Sequence, residues 1–327
     1  MAGGGRAPMG LVSGVNYVQK SQQNKPNPTN WETHKGSWLR GVTEWLRLDE
    51  TPWNHLIHPL VVPCPAVAFP FFADLRQPAL LLNNTISLYL PTEPGVTVGI
   101  WHTVPGSSGT EARGREQRWF EEALADAHPI IIYLHGNGGT SGGRDLPSYG
   151  DSSGHPSESG FTTDVLALYD WAKARSGNSS IIFWGHSLGT GIATNAARKL
   201  QEERGVQVDA VVLESPYTNI RDAAANIPIT KIYRQFPGFE YLILDSMALG
   251  NMFFRNDENV KVLACPLLIL HAEDDTVLPP QLGRQLFETA RSAYKDKSKV
   301  KLITFPEKLG LGHDYISSNP ELPTLVK

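Results

Sequence analysis

From residue 130 onward, short runs of apolar residues alternate with longer stretches whose apolar positions recur at helical spacing. The runs predict strands covered on both faces, because such strands are apolar almost throughout. These strands are predicted at residues 130–134, 181–184, 210–213, 267–270 and 300–305. Helices are predicted between them at residues 163–173, 190–201 and 281–294. The alternation predicts an α/β fold with a mostly parallel central sheet.

The first part of the chain lacks this alternation. Residues 1–30 are rich in Gly, Asn, Gln and Pro without a period, which predicts a disordered tail. Residues 31–84 predict a short amphipathic helix followed by an apolar strap. Four prolines interrupt the most apolar stretch of this strap, so it cannot form the uninterrupted helix of about 20 residues that spans a membrane. The strap is expected to cover the core, and resting on a bilayer surface is the alternative.

Two β-rich runs, at residues 85–90 and 96–103, predict an N-terminal antiparallel hairpin, and residues 106–114 predict a polar loop. A further connection, at residues 215–262, carries seven aromatic residues. It predicts a small helical cap over the carboxyl edge of the sheet, where aromatic side chains would line an acyl pocket. Ordinary packing of these aromatics is the alternative. The main domain is expected to span residues 85–327, with its cap at 215–262.

Composition and charge exclude several classes of protein. The 327 residues carry a net charge of −4 without a run of Lys or Arg, so nucleic acid is not an expected partner. Two cysteines, Cys64 and Cys265, have no C-x-x-C spacing and no clustered histidines around them, which predicts free thiols. Neither a metal nor another cofactor is expected. The N-terminus has no signal-peptide pattern.

The sequence Gly185-His186-Ser187-Leu188-Gly189 stands between a predicted strand and a predicted helix. This is the context of the G-x-S-x-G nucleophile elbow, in which a sharp turn exposes a serine to a base and to backbone donors. Ser187 is therefore the candidate nucleophile. The backbone N–H of Leu188 is the first candidate donor of an oxyanion hole.

The other members of a serine mechanism follow in the required chain order of Ser, Asp and His. Asp275 lies in an acidic turn after the strand at 267–270 and is the candidate acid, with Asp274 as the competing choice. His313 lies in a glycine-flanked loop after the last strand and is the candidate base. Asn137, in the string HGNGG after the strand at 130–134, is the candidate second oxyanion donor. A plain glycine turn is the alternative there.

Several longer strings resemble one family, that of alpha/beta-hydrolase domain-containing twelve, which comprises lysophosphatidylserine and monoacylglycerol lipases. The strings include IIYLHGNGGTSGG, WGHSLGTG, LESPYTNI and CPLLILHAEDD, and the resemblance runs from about residue 80 to the end. It implies an α/β-hydrolase fold with Ser187, Asp275 and His313 as the catalytic triad. It also implies lysophospholipids, especially lysophosphatidylserine, and monoacylglycerols as substrates, with a membrane surface as their source.

The resemblance further implies association with the endoplasmic reticulum membrane. A cytoplasmic location is the alternative, because the sequence shows neither a transmembrane span nor a signal peptide.

One internal departure from the family affects the predicted sheet. Family members carry a helix, an apolar strand and an Asp-Tyr-Arg turn between the HGN-x-G loop and the string G-D-S-x-G, whereas this chain runs directly from one to the other. Residues 137–160 contain seven glycines and six serines, with only two sizeable apolar residues, so they cannot replace a buried strand. The missing strand would lie between the hairpin and the strand at 130–134. The strands beside this gap are expected to close up or to stay unpaired, which would destabilise the fold.

The sequence therefore predicts a serine carboxylic ester hydrolase that acts on acyl lipids. One alternative is protein depalmitoylation, because thioester cleavage suits the same triad. The other is a catalytically impaired form that binds lipid or a partner, because the gap borders the predicted oxyanion loop.

Overall fold

A mixed sheet of eight strands runs through the described part of the chain. The computed structural model describes residues 12–14, 78, 83–105, 109–126, 128–136, 157–226 and 253–326. The strands are β1 (Val12–Gly14), β2 (Thr85–Glu93), β3 (Val96–Thr103), β4 (Ile130–Leu134), β5 (Ile181–His186), β6 (Ala210–Glu214), β7 (Leu267–Ala272) and β8 (Val300–Phe305).

The order across the sheet is β2-β3-β1-β4-β5-β6-β7-β8. Strands β4 to β8 are parallel to their neighbours, and β2 and β3 form an antiparallel hairpin. The predicted parallel sheet and the predicted hairpin are thus both confirmed. Strands β5, β6 and β7 each run one or two residues past their predicted ends. Those extra residues carry the chain to the edge where the candidate site residues lie.

The gap between β3 and β4 is occupied by β1, which comes from the N-terminal region. This strand pairs antiparallel with β3, where Gly14 is opposite His102, and parallel with β4, where Val12 is opposite Ile130. The expectation that the flanking strands close up or stay unpaired is therefore wrong. Backbone N–H and C=O groups in a sheet need partners whatever the side chains are, and a segment distant in sequence supplies them here. Three residues of the predicted tail are thus a strand.

Helices cover the sheet and connect its strands. In the described ranges they are α1 (Gly109–Ala112), α2 (Gln117–Ala123), α3 (Glu158–Lys173), α4 (Leu188–Arg204), α5 (Ile220–Asn226), α6 (Asn256–Asn259), α7 (Pro280–Ala293) and α8 (Leu322–Leu325). The three predicted helices correspond to α3, α4 and α7. Helix α3 begins five residues before its predicted start, because the Ser157 hydroxyl caps it by accepting a hydrogen bond from the Gly160 N–H at 3.0 Å. Helix α1 lies in the stretch predicted to be a loop.

The sheet is buried on both faces, which explains the continuous apolar runs of its strands. Ile130 and Ile132 of β4 belong to the main core with helices α3, α4 and α7, whereas Ile131 between them belongs to a second cluster on the opposite face. The alternation recurs in β6, where Val212 faces the second cluster. The C-terminal residues close that second face, with Phe305, Ile316 and Leu322 in the same cluster.

Some predicted segments lie outside the described residues. These are the tail apart from residues 12–14, the helix and strap predicted at 31–84 apart from residues 78, 83 and 84, and most of the cap, residues 227–252. Within the described ranges, no helix combines the length and the apolar character needed to cross a membrane.

Candidate active site

Ser187 lies at the turn between β5 and α4 with backbone angles φ 50° and ψ −117°. A positive φ is uncommon for a residue with a side chain and costs on the order of 1–3 kcal/mol, so neighbouring contacts must hold this conformation. One of these contacts is a hydrogen bond that the Ser187 N–H donates to the Glu214 carbonyl at the end of β6, at 3.0 Å. The turn is the strand-to-helix elbow that the sequence predicts.

The two glycines of the elbow are required by close backbone approach. A Cβ on Gly189 would lie 2.8 Å from the His135 carbonyl oxygen and closer still to that of Leu134. A Cβ on Gly185 would lie 2.6 Å from the Thr190 Cα. Any side chain at either position would push α4 away from the ends of β4 and β5, and Ser187 would move with the helix.

Asp275 and His313 form a hydrogen-bonded pair at the same edge of the sheet. Asp275 follows β7, His313 follows β8, and His313 Nδ1 donates to Asp275 Oδ2 at 2.7 Å. The side chain of Asp275 is fully buried and that of His313 is 10% exposed. The second carboxylate oxygen of Asp275 accepts hydrogen bonds from the backbone N–H groups of Val277 and Leu278, at 2.9 and 2.8 Å. The carboxylate is thus fixed in one orientation, and it leaves His313 Nε2 available to act as a base.

Burial and pairing act on the two groups in opposite directions. Burial alone would raise the pKa of Asp275, but hydrogen bonds from His271 and His313 hold that pKa well below its ordinary value. Burial alone would lower the pKa of His313, but the hydrogen bond and charge of Asp275 outweigh it and raise that pKa. Asp314 and Glu214 add to the same upward shift. The pair therefore favours an ionised carboxylate that stabilises a protonated imidazole.

Asp274, the competing acid, makes a different contact. Its Oδ2 accepts a hydrogen bond from the Gly312 N–H at 3.0 Å. It therefore holds the backbone of the histidine loop, whereas Asp275 holds the ring of His313.

Two residues at the elbow and at the end of β6 bind the backbone of His313. His186 Nε2 donates to the His313 carbonyl at 2.9 Å, and the Ser215 hydroxyl donates to the same oxygen at 3.3 Å. The His186 and His313 rings lie with their centroids 5.0 Å apart. Because His186 immediately precedes Ser187, these contacts bring the histidine loop to the elbow. The loops that carry Asp275 and His313 therefore lie at the same edge of the sheet as the elbow that carries Ser187.

Comparison with known proteins identifies the family. The family model described as alpha/beta hydrolase fold matches residues 143–242. Protein ABHD12B from Homo sapiens is 46% identical over 277 residues, covering 79% of this chain and 76% of that protein. Lysophosphatidylserine lipase ABHD12 from Macaca fascicularis is 48% identical over 282 residues, covering 80% and 71%. The chain belongs to the ABHD12 family of alpha/beta hydrolases. The family resemblance found in the sequence is thereby confirmed.

A solved structure with low sequence identity to this chain shares its fold. The esterase Pf2001 of Pyrococcus furiosus superimposes with a TM-score of 0.52 at 16% sequence identity, over 76% of this chain and 90% of the esterase. At that identity the likeness concerns the fold alone. It confirms the predicted α/β-hydrolase architecture.

The predicted oxyanion donors are described in part. Leu188 is the first residue of α4, so its N–H has no acceptor within the helix and is available to a ligand. Asn137 lies outside the described residues. Its neighbour Gly136 lies against the elbow, since a Cβ at that position would be 2.9 Å from the Ser187 Cβ and 3.1 Å from His186 Nδ1.

Two buried polar side chains lie at this ABHD12-family site that the sequence pattern did not indicate. Glu214 is 1% exposed, and its two carboxylate oxygens accept from Trp184 Nε1 at 2.8 Å and from the Ser317 N–H at 3.0 Å. His271 is fully buried, with Nε2 2.9 Å from the Leu278 carbonyl and 3.3 Å from Asp275 Oδ2. A polar, titratable residue type at the end of an apolar strand was the available signal in each case.

A buried polar network ties the elbow helix to the described residues at both ends of the predicted cap. Asn256 Nδ2 donates to the Thr190 hydroxyl and to the Tyr217 carbonyl, both at 2.9 Å. Its Oδ1 accepts from the Thr194 hydroxyl at 2.7 Å. Every polar atom of this buried amide side chain is therefore engaged, which fixes the entry and exit of the cap relative to the nucleophile.

Potential metal ligands also occur at the site. Among the residues that the structure describes, one group of three, His186, His313 and Asp314, brings potential ligand atoms within 4.8 Å of one another.

Proposed function

We propose that this chain hydrolyses the acyl ester bond of lysophospholipids, with lysophosphatidylserine as the preferred substrate and monoacylglycerols as further substrates. The observation that carries the proposal is the buried Asp275–His313 pair next to a strained serine elbow. Relatives that are 43–48% identical over about four-fifths of the chain bear the name lysophosphatidylserine lipase ABHD12, which supports the choice of substrate.

In the proposed first step, the Ser187 hydroxyl oxygen attacks the ester carbonyl carbon while His313 Nε2 accepts the hydroxyl proton. The imidazolium that forms is stabilised by the Asp275 carboxylate. The oxyanion of the tetrahedral intermediate accepts hydrogen bonds from the Leu188 N–H and, in this proposal, from the Asn137 N–H.

Collapse of the intermediate breaks the bond to the alcohol oxygen, which takes the proton from His313 and leaves as the glycerophospho-alcohol. A water molecule then gives a proton to His313 and attacks the acyl carbon of the Ser187 ester. The second collapse returns the proton to Ser187 and releases the fatty acid.

The test combines covalent labelling with substrate comparison. A fluorophosphonate probe should label the folded protein but not the Ser187→Ala variant, and the unmodified protein should release fatty acid from lysophosphatidylserine faster than palmitate from an S-acyl peptide. A faster reaction with the S-acyl peptide would instead favour protein depalmitoylation. An unlabelled but cooperatively folded protein would overturn the proposal and leave a lipid- or partner-binding role.

The proposal includes a membrane as the source of substrate, at the endoplasmic reticulum. Lysophospholipids and monoacylglycerols partition into bilayers because of their acyl chains, which supports catalysis at a lipid surface. Recovery of the expressed full chain with endoplasmic reticulum membranes after fractionation is the expected result, and recovery in the soluble fraction would count against it.

A further inference from the structure

The side chains around the elbow combine metal-binding chemistry with a negative electrostatic environment. His186 Nε2 lies 4.0 Å from Asp314 Oδ1, and both residues lie beside His313 in the group of three described above. Two imidazoles and one carboxylate are the ligand types that zinc accepts, and three protein ligands leave a fourth position for water.

A second observation concerns the orientation of His313. Histidine ligands of metals almost always give their other ring N–H to a carboxylate or a carbonyl, which fixes the tautomer and raises the basicity of the ligating nitrogen. The Asp275 carboxylate already accepts from His313 Nδ1, at 2.7 Å. His313 Nε2 is therefore held in the form that either a proton or a metal ion can bind.

The surrounding charges favour a cation at this place. Asp275 is buried and ionised, Glu214 is buried one strand away, and Asp314 is adjacent in the chain.

From this geometry we infer that His186, His313 and Asp314 form an inhibitory zinc site, in which the ion occupies the nitrogen that takes the proton from Ser187. In a tetrahedral site with zinc–ligand distances of about 2.0–2.2 Å, ligand atoms lie about 3.3 Å apart. The three ligand atoms, which now lie within 4.8 Å of one another, must therefore move closer together. Asp314 can make this movement, because its side chain is 68% exposed.

Binding through His186 Nε2 requires its proton to move to Nδ1, because Nε2 now donates to the His313 carbonyl. That hydrogen bond is lost, and the zinc–nitrogen bond replaces it. No covalent bond of the protein is broken, and removing the ion with a chelator restores the free base. The inference rests on the proposed function only where it predicts inhibition; binding of the ion is independent of it.

The experiment measures binding and labelling separately on the full chain. Zinc binding is followed by competition with a chromophoric zinc indicator, and fluorophosphonate labelling of Ser187 is followed at buffered free zinc concentrations. One ion is expected to bind per chain and to suppress labelling reversibly. His186→Asn and Asp314→Asn should each raise the zinc concentration for half-binding by about tenfold or more, which corresponds to about 1.4 kcal/mol.

The matched control is the His128–Asp126 pair, whose Nδ1 and Oδ2 atoms are 2.8 Å apart. Replacing both residues with Asn should change neither zinc binding nor labelling. Because Asp314 is mostly exposed, its variant folds even if that of His186 does not. Absent binding, or binding that both site variants retain, overturns the inference. Zinc binding to a protein whose Ser187 is never labelled would instead overturn the proposed function alone.

Discussion

His313 Nδ1 donates a 2.7 Å hydrogen bond to the buried carboxylate of Asp275, although the two residues are 38 positions apart in the chain. The contact exists because β7 and β8 are adjacent and parallel, so the loops that follow them emerge at the same edge of the sheet. This relationship determines which tautomer of His313 faces the substrate.

The first prediction concerns that hydrogen bond. Asp275→Asn retains an oxygen for the Val277 and Leu278 N–H groups but loses the carboxylate that stabilises the imidazolium, so kcat/KM should fall by about 10⁴-fold. Ester hydrolysis by variants of equal thermal stability measures the effect. Asp274→Asn, which retains an acceptor for the Gly312 N–H, should lose less than about tenfold. Equal losses in the two variants would contradict the assignment of the acid.

The second prediction concerns pH. The base must be neutral to accept a proton, and the Asp275 hydrogen bond and charge raise the pKa of His313 above its ordinary value. The protonated, inactive form therefore persists to higher pH, and the acid limb of kcat/KM should have its midpoint above the range of an unperturbed histidine. Asp314→Asn should move the midpoint to lower pH, since Asp314 contributes to the upward shift. Measuring kcat/KM against pH for both proteins, in buffers that contain a chelator, tests this. A midpoint that is the same in both would refute the contribution of Asp314.

The third prediction concerns the elbow glycines. Gly189→Ala forces a methyl group against the Leu134 and His135 carbonyls, so the free energy of unfolding should fall by about 3 kcal/mol or more. Gly205→Ala is the control, because its φ is 64° but nothing lies within 4 Å of the added carbon, so the cost should be about 1–2 kcal/mol. Denaturant titrations measure both. A smaller loss for Gly189→Ala than for the control would show that the elbow can relax.

The fourth prediction concerns the buried Glu214. In Glu214→Gln, the amide NH₂ replaces one acceptor oxygen and faces the N–H of Trp184 or of Ser317. Because one buried N–H then loses its acceptor, the free energy of unfolding should fall by about 1–3 kcal/mol. Glu202→Gln, which alters an exposed pair with Arg198, should change stability by less than about 1 kcal/mol. Urea unfolding followed by circular dichroism compares the two variants. Equal effects would mean that the buried pairings contribute little.

The fifth prediction concerns β1. Deleting residues 1–15 removes the partners of buried backbone groups in β3 and β4, each costing about 1–3 kcal/mol when unpaired, so stability should fall by several kcal/mol. Deleting residues 1–10 leaves the strand intact and should have little effect. Thermal unfolding and hydrogen exchange of the β3 and β4 amides measure the difference. Identical behaviour of the two deletions would exclude a stabilising role for β1.

The sequence predicted the elements whose side chains carry a strong periodic signal. The strands from 130 to 305 are covered on both faces, so nearly every residue in them is apolar, and Ile130, Ile131 and Ile132 illustrate this directly. Ser187, Asp275 and His313 were predicted as a triad from their residue types and their order along a parallel sheet, and the structure pairs Asp275 with His313.

The position of β1 and the role of Glu214 could not be predicted, because both depend on contacts between residues that are distant in the sequence. The residues of β1 have no strand-like alternation, and their place in the sheet follows from unpaired backbone groups about 90 and 120 residues away. The role of Glu214 likewise depends on Trp184 and Ser317, which come from two other parts of the chain.

A strand of three residues thus joins the hairpin to the rest of the sheet. Closing the loop between Gly14 and β2 is entropically costly, so β1 should dock late in folding. Until it docks, β3 and β4 present two open edges in the middle of the molecule, where another chain could add a strand. By covering both edges, the same short segment that completes the sheet is expected to limit self-association of the chain.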